Sequence, residues 1–287
     1  MRLARISLLF VLVFVSTDVL AGPWVKPPGE GYLKVSGSTF SSDRVVDVNG
    51  VDGTTPWTYS NQSVTTYFDV GIAPRVGLNL SLPFQVSANT YESIRYERSG
   101  LGDLGLGVSV ALLQQRCPVS LELSGSVPMY EGVIASDAEV GAVGGSDPSQ
   151  RYLPMLGDGA SEFSPGISAG CSLFPIPAWV TARMSYQLRN NGFGDGIKSS
   201  FGVGGYIWPK RVALVGGLDL VQRLNNEAER PTKSYLSAFA GVLVTIGAGF
   251  SAEATTSFVP SGAFVSTGTT YSLGISYTGG LFPNPYE

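Results

Sequence analysis

Few residues of this 287-residue chain could do chemistry, and they are scattered. Histidine is absent, so the commonest general base and the usual partner of a serine or cysteine nucleophile are missing. Gly100, Gly102 and Gly105 fit the GxGxxG spacing, but the run opens an alternating segment. A dinucleotide site needs that run between a strand and the N-terminus of a helix. Asn191-Gly192 and Gly194-Asp195-Gly196 have the composition of a calcium loop without its ligand spacing, and they read as an exposed loop. With no His and only two Cys, zinc and copper lack donors. The expectation is therefore no catalytic residue, no metal site and no cofactor. What remains is a set of isolated charges, Lys34, Asp69, Asp103, Glu122, Arg183, Asp219 and Glu253, each on the polar side of an apolar/polar alternation.

That alternation is what positions them. Leu78, Leu80, Leu82, Phe84 and Val86 are separated by Asn79, Ser81, Gln85 and Ser87, and Val119, Leu121 and Leu123 by Ser120 and Glu122. A period of two builds a strand with one apolar and one polar face. About twelve such segments are expected, at 31–40, 64–73, 75–90, 102–114, 117–129, 163–174, 178–190, 198–208, 211–224, 234–246, 248–260 and 268–279. Five connections are very short: Pro74-Arg75, 114–116, 175–177, Pro209-Lys210 and Gly247. All join an even strand to the next odd one and so share one rim, whereas the other connections are longer and polar. Short turns on one rim and long loops on the other describe an all-β fold, a transmembrane antiparallel up-and-down β-barrel of about 12 strands in a bacterial outer membrane. Its short turns and both termini are periplasmic in that arrangement.

The chain start agrees. Arg2 and Arg5 precede an apolar run over 6–15, and Val19-Leu20-Ala21 is a small-residue cleavage site. The expected organisation is a signal peptide at 1–21, a periplasmic N-terminal segment at 22–30, a barrel at 31–279 and a C-terminal tail at 280–287. Without the leader, 16 basic residues face 21 acidic ones, a balance that argues against nucleic acid. Aromatic residues fall near both expected rims: Phe174, Trp179, Trp208, Phe250 and Tyr277 at one, Tyr91, Tyr130, Tyr235, Phe258 and Tyr271 at the other. They are expected to form the two interfacial girdles of a membrane barrel.

In such a barrel the seven isolated charges point into the lumen, because a basic residue on the lipid face costs roughly 2–4 kcal/mol at the midplane. Inward glycines, among them Gly105, Gly107, Gly202, Gly204, Gly217 and Gly274, leave space on the wall, permit strand curvature or let a plug pack close to the backbone. Cys117 and Cys171 have matching parity at the periplasmic ends of neighbouring strands, and exported chains are oxidised, so they are expected to form a disulfide. The longest connection, 131–162, carries Glu131, Asp137, Glu139, Asp147, Asp158 and Glu162 among apolar residues; two expectations stand for it, a gate folded over the extracellular mouth or into the lumen, and a mobile surface loop.

The opening Gly29-Glu30-Gly31-Tyr32-Leu33-Lys34, the strand from Leu78 to Val86 and the run from Gly100 to Gly107 resemble the outer-membrane proteins grouped as phenol-degradation (MetA-pathway) transporters. The resemblance implies a barrel that passes aromatic or other hydrophobic compounds. Two functions follow as expectations: a passive transporter or narrow channel for small hydrophobic or aromatic solutes, or a non-transporting scaffold anchoring an envelope machine for adhesion, motility or polymer export. In the second reading residues 23–28 contact envelope protein partners in the periplasm and the long loops make surface contacts. Outer-membrane phospholipases, lipid A deacylases and omptin-like proteases share the architecture but need a His that this chain lacks.

Overall fold

The structure, a computed structural model, describes residues 22–47, 49–130, 153–224 and 232–284. Thirteen strands form one sheet: β1 Glu30–Val46, β2 Asp52–Ala73, β3 Val76–Tyr91, β4 Ile94–Leu101, β5 Asp103–Leu113, β6 Val119–Pro128, β7 Glu162–Ser172, β8 Ala178–Arg189, β9 Gly196–Trp208, β10 Val212–Arg223, β11 Ser234–Gly247, β12 Phe250–Ala263 and β13 Val265–Gly280. Every ladder is antiparallel, and the β2–β3 pairing joins the two ends of the strand order into a ring. β4 and β5 pair with the upper and lower parts of the same edge of β3, so the ring has twelve positions. Gly102 separates them, its N–H donating to the Pro83 carbonyl at 2.8 Å. The glycine run that mimics a nucleotide motif is thus a bulged strand with no helix after it.

Burial is inverted relative to a protein dissolved in water. On β6, Leu121 and Leu123 are 47% and 53% exposed while Ser120 between Val119 and Leu121 is fully buried. On β13, Leu273 and Ile275 are exposed and Ser276 is buried. The fully buried side chains include Gln85, Ser87, Ser120 and Ser237. An apolar exterior around a polar interior is what lipid outside and water-sized space inside require. The protein is an outer-membrane β-barrel.

The short turns share one rim, as the spacing predicts. Arg75, Lys210 and Ala248 take left-handed backbone conformations there, with φ of 70°, 58° and 49°, which lets two-residue turns follow the strand twist. Cys117 and Cys171 are bonded at this rim, 54 residues apart in sequence. In the chain-entropy account a closure of that size contributes about 4 kcal/mol. We expect unreduced, denatured protein to take up no thiol-alkylating reagent, and reduction to lower its Tm.

The opposite rim is taller than the alternation indicates. β1 runs six residues beyond its expected end at 40, β2 starts at Asp52 instead of 64, and all of β4 lies in a stretch expected to be loop. These extensions carry Ser41, Asp43, Arg44, Thr54, Thr55, Arg95, Glu97 and Arg98. Their outward residues are exposed polar ones while Ser42, Val46 and Tyr59 on the other face are buried, so they lack the apolar outward row that lipid demands, and the ladder bonds fix them as strands. A cysteine at Val51, which is 62% exposed between β1 and β2, should react with a membrane-impermeant maleimide on intact cells, and one at Lys210 should not. The reverse pattern would invert the barrel.

The aromatic expectation needs correcting in three places. Phe174, Trp208, Phe250, Phe258 and Tyr271 are exposed. Trp179, Tyr130 and Tyr235 instead turn inward: Trp179 lies over Gly204, the Tyr130 hydroxyl accepts from Gly159 N–H, and Tyr235 lines the lumen. Trp179 shares strand parity with Arg183, and that parity, not distance from the rim, decides the face.

Candidate functional site

The lumen holds a chamber of about 510 Å³, lined by many Ser, Thr, Asn and Tyr side chains together with charged ones of both signs. Both of its ends are crossed by chain.

At the periplasmic end the crossing is residues 22–29, of which Gly22, Pro23, Trp24 and Val25 line the chamber. The base of this strap is fixed to β2. Pro28 forms a bridge with Gly71, Gly29 N–H donates to the Gly71 carbonyl at 2.9 Å, and Lys26 Nζ pairs with Asp69 at 2.8 Å while lying 5.7 Å from the Tyr32 ring centroid. A β-carbon on Gly71 would overlap the Lys26 and Pro27 carbonyl oxygens, so only glycine lets the strap lie this close. Pro23, Pro27 and Pro28 favour an extended course. The tip reaches the opposite wall, where Pro23 is fully buried and its carbonyl accepts from Ser120 Oγ at 2.7 Å. Trp24 and Pro23 rest on Gly170 of β7, where an added β-carbon would come within 2.7 Å of the indole. The tip is held by one hydrogen bond of about 1 kcal/mol, by the burial of Pro23 and by contact of the Trp24 ring with Gly170; it has no bridge or ion pair of the kind that fixes the base.

At the extracellular end residues 153–161 enter the mouth. Leu156 is buried against Gly100, its carbonyl accepting from Gln85 Nε2, and Pro154 is fully buried. Asp158 pairs with Arg189 of β8, whose guanidinium stacks on Phe193. Gly159 N–H donates to the Tyr130 hydroxyl at 3.0 Å, and Asn191 Nδ2 donates to the Gly159 carbonyl at 2.8 Å. Burial raises the Asp158 carboxyl, but Lys233 and Arg189 outweigh it and hold the group below the usual aspartate value. Burial pushes the Lys233 ammonium down to about 8, opposed by Asp158. Below this network Glu162 pairs with Lys198 and accepts from Gln187 and Ser164. Residues 131–152 of the expected gate lie outside the described residues; 153–161 fold into the mouth.

The seven charges picked by parity fall as follows. Lys34, Asp69, Asp103, Glu122, Arg183 and Asp219 line the chamber, and Glu253 lies behind Lys34, with which it pairs. Arg183 Nε pairs with Glu122 at 2.6 Å, and Asp69 with Lys26. Parity reasoning missed Glu162, Arg189 and Lys198. They sit at the strand ends, and continuing the Arg183, Ser185, Gln187 row by one step reaches Arg189. Asp158, Lys233 and Lys26 lie in connections, which carry no such signal. Gly204 and Gly217 are covered by the Trp179 and Phe239 rings of neighbouring strands; the glycines that admit the strap are Gly71 and Gly170. Asp195 of the supposed calcium loop accepts from the Tyr186 hydroxyl at 2.9 Å, and no metal-binding group of three or more His, Cys, Asp or Glu occurs among the described residues.

The chain is similar in fold to solved outer-membrane barrels. The COG4313 outer membrane channel from Pseudomonas putida F1 superposes with a TM-score of 0.67 at 12% identity, over 89% of this chain and 97% of that one. The translocator domain of the autotransporter NalP from Neisseria meningitidis gives a TM-score of 0.52 at 11% identity, over 91% and 92%. At these identities the likeness extends to the fold. No family model and no curated relative matches the sequence.

Proposed function

We propose that this barrel is a passive channel for small uncharged solutes bearing an aromatic ring, closed at rest by the strap at one mouth and by residues 153–161 at the other. The observation that carries the reading is the polar chamber of about 510 Å³ between two chain crossings, a volume in the range of small-molecule sites. The charge pattern supports uncharged cargo: Lys26, Lys34, Arg183, Arg189 and Lys198 are each paired with a carboxylate, and the other charges on the wall, Asp103, Asp219 and Lys233, are of both signs, so the wall offers a solute little net field. Hydroxyl groups interrupted by Trp24, Tyr67 and Phe40 suit an aromatic ring with polar substituents better than a plain hydrocarbon.

Proteoliposome swelling tests this. A phenyl glycoside, too polar to cross lipid unaided, should enter faster than its methyl counterpart despite its larger size. Equal exclusion of both from vesicles carrying folded protein would overturn the reading.

A further inference from the structure

We propose that the bed beneath Trp24 is a binding site for the ring of an aromatic solute, and that Trp24 is its built-in occupant. Resting on the channel reading above, this names how cargo engages the periplasmic gate. The bed on the wall is backbone at Gly170, and the indole is held over it by the strap, whose Gly22 leaves room for the ring and stands beside the Thr181 methyl. Any side chain at 170 would collide with the indole, so the surface is shaped to a flat ring. Trp24 is 39% exposed, which leaves part of the indole open to the chamber. The strap is fixed unevenly. Its base carries the Gly71 bridge, a backbone hydrogen bond and the Lys26–Asp69 pair, while its tip is held to the wall by the Ser120 bond and by ring contact. A solute ring arriving from the chamber competes for the same bed, and the tip swings about residues 26–29 while the base stays docked. Arrival of cargo thereby opens the periplasmic mouth.

The test uses the full mature protein labelled with 5-fluorotryptophan, whose four tryptophan signals are assigned with Trp24→Phe and read by fluorine NMR. Free indole is the probe, because it is the Trp24 side chain without its tether, and glucose is the non-aromatic control. Indole should move the Trp24 signal saturably, glucose should leave it in place, and wild-type conductance should rise with indole. Gly170→Ala should place the Trp24 signal at its displaced position without indole and weaken indole binding about tenfold, as one buried methyl of overpacking does. A Trp24 signal that stays fixed up to the solubility limit of indole, in protein that conducts, overturns the displacement and leaves the channel standing. Absence of current from wild type, from Trp24→Ala and from strap-deleted protein overturns the channel reading itself.

Discussion

Removal of residues 22–29 is expected to raise the single-channel conductance of the barrel several-fold. The strap crosses from β2 to the β6–β8 wall, so its backbone and the Trp24 ring occupy the periplasmic mouth. The barrel does not depend on it. All twelve wall positions close through strand ladders that begin at Glu30, and losing the strap frees one bridge, one ion pair and a few hydrogen bonds. Folding of the deleted protein can be checked by heat-dependent migration in detergent gels. Gly71→Val should approach the same result without deletion, because its β-carbon meets the strap backbone, and a backbone clash is not relieved by a rotamer change. Conductance equal to wild type in both proteins would mean that the strap is no obstruction.

The second large effect is expected at the other mouth. Arg189→Ala leaves Asp158 in place without its guanidinium partner, although their side chains are only 7% and 17% exposed in the pair. Breaking a buried pair from one side costs about 3–5 kcal/mol, and Lys233 offsets part of that here. Even about 2 kcal/mol shifts a closed-to-open ratio by about thirtyfold. Residues 153–161 should leave the mouth, becoming accessible to hydrogen exchange and to protease while the strands stay protected. Acid should act in the same direction. The Asp158 carboxyl is held below its ordinary value, so the stabilisation it brings is complete at neutral pH and is lost as pH falls through its depressed pKa, below the ordinary aspartate value of 3.8. Asp158→Asn should remove that acid sensitivity. Unchanged protection of 153–161 in Arg189→Ala would show that the Tyr130, Asn191 and Gln85 contacts seat this segment by themselves.

Membrane-embedded strands are legible in the sequence because lipid imposes a pattern. Leu121 and Leu123 against Ser120 and Glu122, or Leu273 and Ile275 against Ser272 and Ser276, announce both the strand and its faces. The same parity is enough to turn Lys34, Glu122 and Arg183 toward the lumen. Above the lipid the pattern disappears, which is why Asp52 to Ser63 and all of β4 read as loop although the backbone ladder continues through them. The strap is illegible for a different reason. A proline-rich, glycine-flanked octet has no period to read, and its docking depends on Gly71 and Gly170, whose role appears only once another segment is packed on them. Asp158 and Lys233 come together from connections distant in sequence, and no local rule brings them together. The misplaced Trp179 and Tyr235 show a hierarchy: position along a strand gives an aromatic ring its depth, but parity with neighbours such as Arg183 or Ser237 decides lipid or lumen.

The most direct test of the central claim is current through single purified barrels in a planar bilayer. A gated channel predicts small discrete steps from the intact protein, larger and longer steps without the strap, and weak discrimination between potassium and chloride, as the paired charges of the lumen require. Folded, inserted barrels that stay silent with the strap present and with it removed would contradict the account.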